Sequence, residues 1–204
     1  MKSIVWLLGL LVLVGVGAGA FIWSGAYDIA ADEPHWPLTA WVMNTTRERS
    51  IAARASGIVV PDLNDESQIR TGAGNYDAMC AGCHLQPGVD RSELSNGLYP
   101  TPPNLSRRRF DDPAAAFWAI KHGIKMTGMP AWGKSMDDEF IWGMVAFLQQ
   151  LPKLSEAQYS ELVESSGGHS HSKDESEADA AEAADAHDEK AATHTHADET
   201  PHEH

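Results

Sequence analysis

The chain has 204 residues, 43% of them hydrophobic, and a formal net charge of −14. That length fits one domain with extensions, and nothing in the charge balance indicates nucleic-acid binding. Residues 165–204 contain 11 acidic residues against two lysines, so they account for −9 of the charge. The acidity therefore belongs mainly to the end of the chain and says little about the folded part.

The first segment, residues 1–24, is apolar. Ile4 to Trp23 forms a run of about twenty uncharged residues, which is long enough to cross a hydrocarbon core of about 30 Å as a helix. Lys2 precedes the run and acidic residues follow it, so the positive-inside rule places the amino terminus in the cytoplasm. A cleaved signal peptide is the alternative, because Ala18-Gly19-Ala20 resembles a cleavage site. We expect an uncleaved anchor, since signal-peptide apolar regions usually run to about 7–15 residues.

Residues 25–63 are predicted to be a linker that contains an amphipathic helix. Apolar residues recur at helical spacing from Leu38, Pro37 lies at or before the first turn, and Gly57 is a typical stop. The expected helix covers residues 38–56. Its apolar face is expected to pack on the following domain or to lie at the membrane surface.

Residues 64–154 are predicted to form a compact all-α domain. Asp65 with Gln68 resembles a capping box at the start of one helix. Asp112-Pro113 starts a second helix, which ends at His122-Gly123. A third is expected from about 135–137 to Pro152, with long loops at 85–111 and 123–135. No segment shows the period-two alternation of a strand.

The only two cysteines lie in "CAGCH", residues 80–84. C-x-x-C-H is the attachment pattern of haem c: Cys80 and Cys83 on one helical turn can reach the two vinyl groups, and His84 then lies under the iron. A redox-active pair would need a strand–helix context, and a zinc site would need two further ligands at suitable spacing. A covalently bound haem would also supply apolar surface that so small a core lacks.

With these residues considered, the domain resembles a class I c-type cytochrome over about residues 64–154. Gly72-x-x-x-Tyr76-x-x-x-Cys80 is similar to the family's first helix, and Phe147-Leu148 falls where its last helix carries the aromatic partner. In such a crossing glycine lets the helices approach and aromatics fill the space. The resemblance implies the cytochrome c fold around one covalent haem c.

Two loop motifs extend the resemblance. Pro102-Pro103-Asn104-Leu105 is similar to the family's Gly-Pro-Asn-Leu, which implies that the Pro103 carbonyl accepts a hydrogen bond from His84. The loop before it is longer than in the short mitochondrial type. "KMTGMPAWG", residues 125–133, resembles the loop of the sixth ligand and implies that Met129 binds the iron opposite His84. Met126 in the same loop and His122 at a helix end are rival ligands.

The phrases "ADEPHWPLTAW", "GLYPTPPNL" and "FWAIKHGIKMTGMPAWG" are also similar to membrane-anchored, single-haem bacterial cytochromes. Trp118 and Trp132 are candidates for contact with the haem or its propionates, or else simply fill the core. Arg107, Arg108 and Arg109 neutralise propionates, form a docking patch, or are a solvated basic loop. These alternatives stay open at the level of sequence.

Residues 155–204 are predicted to be a disordered acidic and histidine-rich tail, since residues 165–204 show no apolar period. Seven of the ten histidines lie there. Flexible imidazoles beside carboxylates can bind Cu(II), Ni(II) or Zn(II) weakly. A solvated tail without a metal is the alternative. The candidate ligands form three His-x-His pairs: His169 and His171, His194 and His196, and His202 and His204.

The sequence predicts an electron-transfer protein rather than an enzyme. It would be a one-electron carrier with His/Met-ligated haem c, anchored in a bacterial cytoplasmic membrane with the haem domain in the periplasm. A cytochrome bc-type complex, a terminal oxidase or a periplasmic oxidoreductase would be its partner. Two alternatives remain: a periplasmic metal-handling protein that uses the tail, and a ligand-binding or catalytic haem protein with an open sixth position.

Overall fold

The regular structure of the protein is helical throughout the part described by the computed structural model, residues 2–172. Short 3-10 turns lie at Trp132–Lys134 and Leu151–Lys153. The predicted all-α class is confirmed. In chain order the helices are α1 (Lys2–Ser24), α2 (Pro37–Ala55), α3 (Glu66–Met79), α4 (Ala81–His84), α5 (Glu93–Gly97), α6 (Pro113–His122), α7 (Asp138–Leu148) and α8 (Glu156–Glu164).

The chain divides into two compact units, one up to Asn44 and one from Thr45 onward. In the first unit, α1 is long and apolar enough to cross a membrane, a test that an N-terminal signal sequence also passes. The chain after α1 is held by aromatic contacts: Trp36 lies 5.8 Å from Phe21 and 5.1 Å from Tyr27 between ring centroids. The Tyr27 hydroxyl is also hydrogen-bonded to His35 Nδ1 at 2.9 Å.

The second unit begins earlier than the predicted boundary at residue 64. The predicted helix over 38–56 is observed as α2, Pro37–Ala55. Its last turn is part of the second unit: Ala55 is buried, and the Arg54 guanidinium lies 6.0 Å from the centroid of the Trp118 ring. Ile58 then packs against the core. The end of α2 therefore packs on the domain that follows it, one of the two alternatives expected for this helix.

The core of the second unit is the crossing of α3 and α7. A Cβ on Gly72 would lie 2.1 Å from the carbonyl oxygen of Gly143, so the backbones touch where neither residue carries a side chain. Tyr76 and Phe147 pack beside that contact with ring centroids 5.4 Å apart. The predicted glycine-and-aromatic crossing is therefore confirmed. Phe117 of α6 also stacks on Trp142 of α7, with ring centroids 4.1 Å apart.

The helix starts follow the local capping signals. The Asp65 carboxylate accepts from the backbone N–H groups of Ser67 and Gln68 at the start of α3. Asp112 accepts from the Ala115 N–H at the start of α6, which has its predicted bounds. Each cap satisfies amide groups that have no partner within the helix.

The predicted tail begins too early. Residues 156–164 form α8, which starts at a Ser155–Gln158 capping box. Tyr159 is buried, and its hydroxyl donates to the Asp77 carboxylate of α3 at 2.7 Å. The helix is polar over most of its length, so its one buried face was not recognised. The predicted disorder beyond residue 172 lies outside the described residues.

Candidate haem site

The residues of "CAGCH" lie on one helical turn. Cys80 caps the end of α3 and begins α4, where its carbonyl oxygen accepts from the N–H of Cys83 at 3.1 Å and of His84 at 2.8 Å. Those two bonds hold Cys80, Cys83 and His84 on a single helical turn. The arrangement presents two thiols and an imidazole from one rigid segment.

The two cysteines are free thiols. Burial, with a smaller effect from the neighbouring Cys83, raises the pKa of Cys80 to about 12. Reactive cysteines of redox-active C-x-x-C pairs have lowered pKa values, because the thiolate is the nucleophile. The environment of Cys80 is of the opposite kind, which disfavours the redox-dithiol interpretation of this motif.

His84 is held at its ring and at its backbone by the same short segment. Its Nδ1–H donates to the Pro103 carbonyl at 3.0 Å, and its own carbonyl oxygen accepts from the Leu105 N–H at 3.0 Å. Fixing one ring nitrogen as the donor leaves Nε2 available to coordinate a metal. Burial lowers the pKa of His84, against the opposite effect of the Pro103 bond, and so favours the neutral imidazole that metals require.

The segment that holds His84 is itself a turn closed by Asn104. The Asn104 side-chain oxygen accepts from the Ser106 N–H at 3.0 Å and from the Ser106 hydroxyl at 2.7 Å. Such a turn fixes the backbone around its own residue. It therefore determines where the neighbouring Pro103 carbonyl points.

Tyr76 has a role that the sequence analysis did not assign. Its hydroxyl donates to the carbonyl oxygen of Leu85, the residue after His84, at 2.5 Å. Leu85 has a φ of 65°, a conformation that costs energy for a residue with a branched side chain. Burial raises the pKa of Tyr76, so the hydroxyl remains a donor. The four-residue step from Tyr76 to Cys80 was the only sequence signal for this contact.

Met129 lies in a loop closed by its own backbone. The Ile124 N–H donates to the Met129 carbonyl at 3.2 Å, and the Met129 N–H donates to the Thr127 hydroxyl at 3.1 Å. Gly123 packs so closely that a Cβ there would lie 2.7 Å from the Met129 carbonyl oxygen. Met129 is partly buried against the same hydrophobic core as Cys80.

The rival ligands are placed differently. Met126 in the same loop is 81% exposed and has a φ of 59°. His122 is exposed at the end of α6, with its ring centroid 4.9 Å from that of Trp118. Neither side chain belongs to the core cluster that includes Met129.

The other candidate residues differ in burial and in their contacts. Trp132 packs against the core, whereas Trp118 lies between Arg54 and His122. Arg107 forms an exposed ion pair with Asp90, and Arg108 and Arg109 are exposed. Gly128, next to Met129, faces the Leu98 side chain, which a Cβ would approach to 2.7 Å.

The donor set fits haem c. Two thiols and a neutral imidazole with its Nδ1–H already bonded leave the two sulfur atoms and Nε2 for the cofactor. A thioether from the Met129 loop is the type of sixth ligand found in cytochromes c. The chemistry of the two thiols and the imidazole fits the covalent attachment of a haem c.

Comparison with known proteins supports a c-type cytochrome domain. Residues 67–148 match the family described as cytochrome c oxidase, cbb3-type, subunit III. Neither the curated proteins nor the solved structures gave a match to the chain. The matched segment runs from the start of α3 to the end of α7 and contains the whole candidate site. Residues 67–148 therefore form a class I c-type cytochrome domain, of the kind that transfers electrons on covalently bound haem c.

Proposed function

We propose that the protein is a membrane-tethered one-electron carrier with a single haem c. Cys80 and Cys83 would form the thioether bonds, and His84 and Met129 would be the axial ligands. The observation that carries the proposal is the 3.0 Å bond from His84 Nδ1–H to the Pro103 carbonyl, because it orients the imidazole of a C-x-x-C-H motif for a metal. When bound, the haem supplies the one-electron chemistry.

The protein's own residues would set the surroundings of the iron. Pro103 and Leu105 hold His84 from two sides, which keeps its ring and tautomer fixed through a redox cycle. Tyr76 fixes the backbone just after it. The closed loop 123–130 would hold the Met129 thioether without a large rearrangement. A methionine ligand favours electron transfer at a raised potential over binding of exogenous ligands.

The membrane tether is supported by α1, whose 23 residues are apolar enough to span a bilayer. Lys2 before it and the acidic residues after it favour a periplasmic haem domain. Tethering would raise the effective concentration of the carrier for membrane partners. The family description names a cytochrome c oxidase, which supports a terminal oxidase among the candidate partners, beside a cytochrome bc-type complex and a periplasmic oxidoreductase.

Two measurements test the proposal. Mass spectrometry of the purified protein is expected to show one haem per chain, bound covalently, and the Cys80→Ser/Cys83→Ser variant is expected to lose it. Potentiometric titration is expected to follow a single one-electron curve. Two redox transitions, or a haem that organic solvent extracts from the wild type, would contradict a single haem c carrier.

A further inference from the structure

The chain that follows α8 is folded back onto the cytochrome domain. Gly167 and Gly168 have φ values of 77° and 100°, which glycine alone adopts without strain, and they reverse the chain just after the helix. The Gly168 carbonyl then packs on α3, where a Cβ on Gly74 would lie 2.2 Å from it. The return of the chain to α3 is therefore specified by glycines on both sides of the contact.

Two backbone hydrogen bonds hold the next residues in place. The Ser170 N–H donates to the Asn75 side-chain oxygen at 2.9 Å, and Asn75 is fully buried in α3. The carbonyl oxygen of His171 accepts from the Asp137 N–H, at the start of α7, at 3.1 Å. The segment is thus anchored to both helices of the central crossing.

These bonds fix the backbone that carries the two histidines on either side of Ser170. The ring centroids of His169 and His171 lie 5.3 Å apart, with an angle of 70° between the ring planes. Two imidazoles bound to one tetrahedral Zn²⁺ at N–metal distances of about 2.0–2.1 Å place their centroids about 5 Å apart. The observed separation of the two rings is therefore compatible with two ligands of one ion.

We propose that His169 and His171 form a preorganised binding site for a divalent transition-metal ion, with Zn²⁺ as the reference ion. Holding the backbone of both residues in place lowers the ordering cost that a flexible His-x-His pair must meet on binding. Within residues 2–172 no group of three His, Cys, Asp or Glu side chains surrounds this position, so the described residues supply two ligands. The site is separate from the haem ligands and independent of the electron-carrier proposal.

The chain contains its own control. His194 and His196 form the same His-x-His sequence outside the described residues. Calorimetric titration of the full-length, haem-loaded protein with Zn²⁺ compares His169→Ala/His171→Ala with His194→Ala/His196→Ala. The first variant is expected to weaken the tightest site by at least about tenfold, and the second to leave it within about twofold of wild type. An unchanged haem spectrum shows that each variant is folded.

A third variant tests preorganisation rather than the presence of ligands. Ser170→Pro removes the N–H that bonds Asn75 and keeps every histidine. It is expected to weaken the tightest site by about threefold or more, because the backbone that carries the two histidines is then no longer bonded to α3. Equal losses from the two histidine pairs, or full affinity in Ser170→Pro, would overturn the proposal.

Discussion

Gly72 of α3 touches Gly143 of α7 so closely that a Cβ on Gly72 would lie 2.1 Å from the Gly143 carbonyl oxygen. The obstacle is backbone and not a flexible side chain, so the helices must separate to admit a methyl group. Gly72→Ala is expected to lower the free energy of unfolding by at least about 1–3 kcal/mol.

Chemical denaturation of the haem-loaded protein measures this loss. Gly97→Ala is the matched control, because a Cβ at Gly97 meets nothing within 4 Å. Its stability is expected to stay within about 0.5 kcal/mol of wild type. If Gly72→Ala is as stable as Gly97→Ala, the close crossing does not hold the domain together.

Tyr159 connects α8 to α3 through its hydrogen bond to the Asp77 carboxylate. Because the hydroxyl is buried and its acceptor is charged, Tyr159→Phe is expected to cost about 1.5–3 kcal/mol of stability at neutral pH. Equilibrium unfolding checks this. A loss below about 0.5 kcal/mol would show that α8 contributes little to the domain through this bond.

The same hydroxyl predicts an alkaline limit to stability. Burial, with the hydrogen bond to Asp77, raises the pKa of Tyr159 above that of the unfolded chain. Its contribution is therefore complete below the unfolded pKa of about 10 and is lost as the pH rises above that value. The stability difference between wild type and Tyr159→Phe is expected to shrink above about pH 10. A difference that is constant up to pH values well above this would contradict the prediction.

Asn104 is expected to control the orientation of His84 without touching it. Asn104→Ala removes the two bonds to Ser106 and so frees the Pro103 carbonyl. The closed state of the His84 Nδ1–H bond is expected to lose about 1 kcal/mol of stability, so that the bond opens about five times more often. Exchange of the His84 Nδ1 proton with solvent, followed by NMR in the reduced protein, reports that opening. Asn96→Ala, at an exposed position in α5, is the control and is expected to leave exchange unchanged. Equal proton exchange in both variants would show that Asn104 does not control the orientation of His84.

The sequence predicted the parts of the fold that have strong local signals. Asp112 and Pro113 correctly placed the start of α6, and the spacing of Gly72 and Tyr76 predicted the α3–α7 crossing. His84 and Pro103 are 19 residues apart, and their contact was expected only from the family resemblance. No local rule of capping or periodicity brings such distant residues together.

Prediction from the sequence was wrong for α8, a mostly polar helix that buries one narrow face. Residues Tyr159, Leu162 and Val163 follow helical spacing, and Ser155 with Gln158 is a capping box, so α8 had a signal that composition obscured. The contacts of residues 166–170 with α3 had no sequence signal. They are made mainly by backbone atoms, which approach α3 closely because Gly74 has no side chain. Such contacts become visible only in the folded chain.

The optical spectrum of the haem-loaded protein, oxidised and reduced, with and without carbon monoxide, tests the central claim most directly. Met129→Ala is compared with Met126→Ala, which removes the exposed methionine of the same loop. Wild type and Met126→Ala are expected to show the weak red charge-transfer band of a methionine–iron bond and not to bind carbon monoxide. Met129→Ala is expected to lose the band and to bind carbon monoxide. If the wild type binds carbon monoxide readily and Met129→Ala behaves identically, Met129 is not the ligand and the closed electron carrier is the wrong account.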